Sequence, residues 1–206
     1  MPPLSQTAKT IILCTISAIV CGLLFAPIVA NFQKYTDSMS IIEDWRFWLQ
    51  GAIFGLMFSM VNVRGILRIA YAFSSRAIYV VTAVIFLQTG GLGGDYGLFN
   101  NSFRGGMLAG AFGAVALAVL TKVLSRTAMR FRDELITSIS GAMTGVPFYI
   151  IIFYGLLYLW NYFNSDNSVV GSYFASAIPA FLAFWFWQIP VAWRLTTTLQ
   201  KQSNGE

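Results

Sequence analysis

Residues 90–113 read GGLGGDYGLFNNSFRGGMLAGAFG, a stretch that holds nine of the chain's 18 glycines and runs directly into the apolar segment Met107–Leu120. Glycine at this density signals close backbone approach, or backbone angles closed to other residues. Within an apolar helix, Gly106-x-x-x-Gly110 and Ala109-x-x-x-Gly113 form a small-residue face on which another helix can settle. The stretch is therefore read as a glycine-lined turn at a membrane surface, feeding a tightly packed membrane helix.

The remainder of the 206-residue chain agrees with that reading. Hydrophobic residues make up 57% of it and charged residues only 10%, where a soluble domain averages about 25% charged. Six apolar runs, at 10–30, 45–63, 77–92, 105–124, 139–163 and 170–193, take up most of the length. Each is read as a helix crossing a hydrocarbon core of about 30 Å, with 77–92 the shortest. The first run is read as a retained helix and not as a signal peptide, because it is long and no small-x-small cleavage site follows it. The expected fold is all-α: a polytopic membrane protein of six transmembrane helices in one compact bundle, with residues 1–206 forming a single integral-membrane domain. Between the runs, Asn31–Asp44 is expected to be a polar loop and Arg64–Arg76 a basic loop with some interfacial character.

Charge placement gives the orientation. With the N-terminus inside, Lys9, Arg64, Arg68, Arg76, Lys122, Arg126, Arg130, Arg132, Arg194 and Lys201 fall on the inner side, and Lys34, Arg46 and Arg104 on the outer. The positive-inside rule then puts both termini in the cytoplasm, and the expected location is a bacterial inner (plasma) membrane. The formal charge of +5 is distributed between apolar runs, so a nucleic-acid partner is excluded. Membrane lipids are the expected surroundings. A membrane-protein partner, a second copy of the chain or a small solute are the expected further contacts.

Small residues recur at four-residue spacing in several runs. Cys14, Ala18, Gly22, Ala26 and Ala30 share one face of the first, and Gly51, Gly55 and Ser59 one face of the second. Gly106, Gly110 and Gly113 mark the fourth, and Gly141 and Gly145 the fifth. These are assigned to helix packing.

Side-chain chemistry narrows the function. The chain has no histidine, the residue that most often serves as base in serine proteolysis and as ligand in zinc hydrolysis. Gly93-Gly94-Asp95 has the form of the glycine-aspartate corner of membrane aspartyl proteases, but that chemistry needs two carboxylates sharing a proton. No acid lies within any of the six runs, so carboxylate-coupled ion transport is disfavoured as well. The expectation is a protein without catalytic residues, cofactor or metal. The neutral amides Gln50, Gln88 and Gln188 remain, together with Arg104 at the outer turn, as candidate contacts to a solute. Lys122, Arg126 and Arg130, four residues apart, are expected to carry the fourth helix out of the membrane on one basic face toward lipid phosphates or a partner.

In outline the chain is similar to the substrate-binding S-components of energy-coupling-factor vitamin transporters. These are small six-span bundles with both ends inside, and their first helix docks a partner through alanine-x-x-x-alanine. Ala26-Pro-Ile-Val-Ala30 has that form here, with Pro27 inside it. No vitamin-pocket signature accompanies it, and membership is not assigned. Two functions are therefore expected to compete: a subunit that binds or passes a small solute, and a non-catalytic accessory or assembly subunit of a larger membrane complex.

The topology is testable with single cysteines in a background lacking Cys14 and Cys21. Those at Ser38, Tyr96 and Asn167 are expected to react with an impermeant reagent from outside, and those at Ser74, Arg130 and Ser203 to be protected. Labelling at Ser74 and Asn167 from the same side would refute six spans.

Overall fold

The computed structural model describes residues 4–30, 38–89, 98–125, 129–163 and 169–203. Seven helices make up nearly all of them: α1 (Gln6–Ala30), α2 (Ser38–Glu43), α3 (Trp45–Asn62), α4 (Leu67–Thr89), α5 (Leu98–Ser125), α6 (Phe131–Phe163) and α7 (Val169–Ser203). No strand occurs among the described residues. Pro27, Pro147, Pro179 and Pro190 all lie within continuous helices.

Five helices are long and apolar enough to cross a membrane, through Gln6–Ile28, Leu67–Phe86, Arg104–Ser125, Phe131–Ile152 and Ser176–Ser203. The chain is thus an all-helical, multi-pass integral membrane protein. Its outer surface supports this. On α1 the exposed positions are Ile12, Ile16, Ile19 and Leu23, while Cys14, Ala18, Cys21 and Ala26 are buried. The helix is apolar all round, with large residues outside and small ones inside, as lipid and close packing require. The expected second span, α3, is not among the five. Its 18 residues include Arg46, Gln50 and Asn62, and at 1.5 Å per residue it measures about 27 Å.

Long helices that are neighbours in the chain are neighbours in space, and α1 packs against α7, so the six long helices close into a ring. Adjacent helices run in opposite directions. Asn62 meets Thr10 while Cys21 meets the Gln50 carbonyl, and Tyr71 meets Thr121 while Thr82 lies against Gly113. One end of the ring collects the start of α1, the α3–α4 turn, the end of α5, the start of α6 and the end of α7. Lys9, Arg64, Arg68, Lys122, Arg130, Arg132 and Lys201 therefore gather there.

Glycines set the helix spacing. A Cβ on Gly110 would collide with the Gly141 carbonyl oxygen, one on Gly141 with that of Gly110, and one on Gly145 with that of Gly106. On the other side of the ring, a Cβ on Gly51 would lie 2.7 Å from Arg76 Cα, and one on Gly22 2.6 Å from the Phe181 nitrogen. Gly55 packs on Ala72 and Ser75, and the Ser75 hydroxyl donates to the Gly51 carbonyl at 2.7 Å. Backbones this close leave little room at the interfaces, so large side chains point outward or into the axis. The axis holds a column of rings, from Phe25 and Phe47 through Trp187, Tyr79 and Phe54 to Phe58 and Tyr71, with successive centroids 5.3–6.3 Å apart where they touch.

Several expectations need correction. The basic stretch 64–76 is a loop only through its first few residues. Gly65 turns the chain with φ +60°, a left-handed conformation that costs glycine nothing, and α4 begins at Leu67. Of the three arginines in this stretch, Arg64 precedes the helix, and Arg68 and Arg76 are accommodated on it. Arg68 donates its Nε to the Val63 carbonyl at 2.8 Å, and the Arg76 guanidinium lies 4.6 Å from the Phe73 ring centroid and 5.6 Å from that of Trp48, attractive placements for a cation. Ser74 consequently sits inside α4, and Gly65 or Ile66 is the position that reports this side. The polar loop 31–44 contains α2, whose Met39 and Ile42 are exposed while Ile41 is buried. Asp44 then caps α3 by accepting from the Arg46 amide at 2.9 Å. Of the basic face expected along 122–130, Lys122 lies on α5, whose described residues reach Ser125, and Arg130 lies outside any helix. Lys122 pairs with Glu134 of α6 at 2.6 Å, and Arg130 is exposed before α6. Arg126 and residues 90–97 lie outside the described residues, and the rest of the turn expected at 90–104 is helical, because α5 starts at Leu98.

The glycine contact predicts an asymmetric cost. Gly110→Leu should destabilise the fold by about 3 kcal/mol or more through overpacking. Leu108→Ala, at a position 54% exposed on the same helix, should be nearly neutral in thermal unfolding. Equal effects would mean that the α5–α6 contact is not as close as described.

Candidate functional site

All six long helices contribute to one cavity of about 70 Å³ on the axis. It lies in the half of the ring remote from the basic end. Its walls are Phe25 of α1, Phe47 and Gln50 of α3, Tyr79, Thr82, Ala83 and Phe86 of α4, Phe184 and Trp187 of α7, and the small residues Gly106, Ala109, Gly110 and Gly145 of α5 and α6. The space exists because those four positions carry no bulk. One water needs roughly 10–15 Å³ of such volume, so the cavity can hold a few waters or one molecule of about half a dozen heavy atoms.

The wall is aromatic and almost entirely apolar, with two polar exceptions of one kind. Gln50 is 2% exposed and its Nε2 has no hydrogen-bond partner among the described residues. Trp187 is 5% exposed and its Nε1 is likewise unpartnered. An unpaired buried donor costs about 1–3 kcal/mol, so two in one wall are a stored demand for an acceptor. Two further polar groups of the wall have partners. The Thr82 hydroxyl donates to the Ile78 carbonyl at 2.7 Å, and the Tyr79 oxygen accepts from Gln188 Nε2 at 2.9 Å.

Behind the wall, side chains of α1, α4 and α7 hold these groups in place. Gln188 Nε2 also reaches the Cys21 sulfur at 3.6 Å, and the Cys21 thiol donates to the Gln50 backbone carbonyl at 3.7 Å. Gly113 admits the Trp187 ring, since a Cβ there would stand 2.7 Å from its Cζ2. Phe54 and Tyr79 flank the same ring at 6.3 and 5.6 Å.

The sequence candidates separate clearly. Gln50 is in the wall. Gln188 is one layer back, bound to Tyr79 and Cys21, with its Oε1 unpartnered. Gln88 and Arg104 are exposed, near the end of α4 and the start of α5, and neither lines the cavity. Asn62 serves the fold, accepting from Gln6 and donating to Thr10 at the basic end. Trp187 was not singled out from the sequence. The available signal was its place beside Gln188 in the run AFWFWQ, residues 183–188, which reads as packing. The packing glycines Gly22, Gly51, Gly55, Gly110, Gly113, Gly141 and Gly145 and the buried Ala18 all face neighbouring helices of the same chain. Ala26 is also fully buried. Among the described residues, no cluster of His, Cys, Asp or Glu could hold a metal.

No family model, no curated protein and no solved structure matches the chain. What the site does must therefore be argued from its own chemistry.

The wall predicts opposite responses from two polar side chains. In unliganded protein Gln50→Leu should be neutral or stabilising by up to about 1 kcal/mol, because it removes an unpaired donor. Tyr79→Phe should destabilise by about 1–3 kcal/mol, because it strips a partner from the Gln188 amide. Thermal unfolding in lipid nanodiscs measures both, and a large loss of stability in Gln50→Leu would make that glutamine structural.

Proposed function

We propose that this protein is a bacterial inner-membrane solute-binding component with six spans, α3 being the sixth, and with both termini in the cytoplasm. The observation that carries the reading is the unpartnered Gln50 amide in the wall of an axial cavity. A structural amide in a membrane bundle is normally bonded to another helix, as Asn62 is. Collection of the basic residues at the end that holds both termini supports the orientation, and it puts the cavity in the outer half. α3 supports six spans because it occupies a full place in the ring between α1 and α4.

The aromatic column favours binding over free permeation. Phe54, Phe58 and Tyr71 are fully buried between the cavity and the basic end. They leave no path through the axis in this conformation, so a transported solute would need the rings to move. The accessory-subunit alternative drew on small-residue stripes as docking faces, and that support is reduced because most of those residues are buried within this chain.

The reading is tested by native mass spectrometry of protein purified in mild detergent. A bound non-lipid small molecule is expected with the native chain and should be lost in Gln50→Leu. A stoichiometric protein partner without any small molecule would instead favour an accessory role.

A further inference from the structure

We infer that the cavity selects a neutral molecule with an apolar body and a hydrogen-bond acceptor of the carbonyl class, held by Gln50 Nε2 and Trp187 Nε1. The inference rests on the binding reading above and adds the ligand's chemistry. Both unpartnered groups are N–H donors on side chains more than nine-tenths buried; each nitrogen is itself covered in the free protein, so a ligand acceptor meets it as the neighbouring wall side chains shift, and only an acceptor satisfies it. A ligand hydroxyl could also accept, but it brings a proton that needs an acceptor of its own, whereas a carbonyl oxygen offers two lone pairs and no proton. Charge is excluded from the other direction. No ionisable acid or base other than the Tyr79 phenol lines the cavity, and two neutral donors do not offset the desolvation of a carboxylate. The rings of Phe25, Phe47, Phe86 and Phe184 complete an apolar enclosure for the rest of the molecule. The second anchor is an indole, which donates and cannot accept, so its polarity is fixed and does not adapt as the Gln50 amide can.

The test compares cyclopentanone with methylenecyclopentane, which differ only by C=O for C=CH2. Full-length protein in lipid nanodiscs carries ¹⁵N-labelled indole and glutamine amide groups, with Trp187 assigned from the spectrum of Trp187→Phe. Cyclopentanone is expected to shift the Trp187 indole and Gln50 amide signals saturably, and to bind roughly tenfold or more tightly than the hydrocarbon, because a site built on donors rejects the analogue lacking the acceptor. In Trp187→Phe that preference should shrink, while the other five indole signals report that the fold is intact. Equal binding of both probes would overturn the acceptor requirement and leave solute binding standing. Binding of neither, with a long-lived water contacting the Trp187 indole, would assign the donors to structural water and overturn the inference. The mass-spectrometric result for a native solute is independent of both outcomes.

Discussion

Helices in lipid gain nothing from the hydrophobic effect when they associate, since acyl chains are as apolar as leucine. Backbone contact has to supply the attraction, and here it does so at the α5–α6 seam, where Gly106 and Gly110 meet Gly145 and Gly141 carbonyl against Cα. The seam on α3–α4 at Gly51 and Gly55 and the one on α1–α7 at Gly22 repeat the solution with different neighbours. Three close seams around a ring of six helices hold its perimeter tight. The volume removed from the interfaces reappears as exposed isoleucine, leucine and methionine facing lipid and as the column of rings on the axis.

The cavity follows from the same constraint. At the level of Gly55 and below, the axis is filled by Phe54, Phe58, Tyr71 and Leu117, all fully buried. One step further from the basic end, α5 and α6 present Gly106, Ala109, Gly110 and Gly145 toward the axis. Residues selected for helix approach cannot also fill the centre, so a void opens where the seam is tightest. Packing element and cavity wall are therefore one feature, and a substitution that bulks the seam fills the cavity as well.

Much of the fold was legible because length and hydropathy constrain a membrane chain so strongly. The six long helices and their small-residue faces follow from apolar runs and four-residue spacing. The start of α4 did not, because Arg68 and Arg76 count heavily against a span in any sum over residues, whereas their placement against a carbonyl and two rings is a tertiary event. The partner of Lys122 was hidden for a related reason: Glu134 lies twelve residues on, and only the packing of α6 on α5 brings the two together. The site was half legible. An amide in an apolar run marks itself, so Gln50 and Gln188 could be found. An aromatic in such a run is indistinguishable from filler, so Trp187 could not. Gln88 was chosen as an amide in an apolar run and Arg104 as the basic residue at the glycine turn, but the cavity is lined by Phe86 and Gly106, two residues from each, and the faces of α4 and α5 that meet it are a tertiary matter.

The amides also show how a binding group can be told from a packing group when no relative guides the choice. All are buried polar groups in a setting without bulk water, and each must either find a partner or remain at a cost. Asn62 ties α3 to α1, and Gln188 ties α7 to α4 and α1. Removing either amide would loosen a helix. Gln50 ties its side-chain nitrogen to nothing among the described residues, although serine, threonine and tyrosine hydroxyls are used freely elsewhere in the same core. A packing role would have been served by leucine at that position without the penalty. A bound solute, as proposed above, would complete the bond and relieve the penalty, and the Trp187 indole in the same wall makes the same demand with the same polarity.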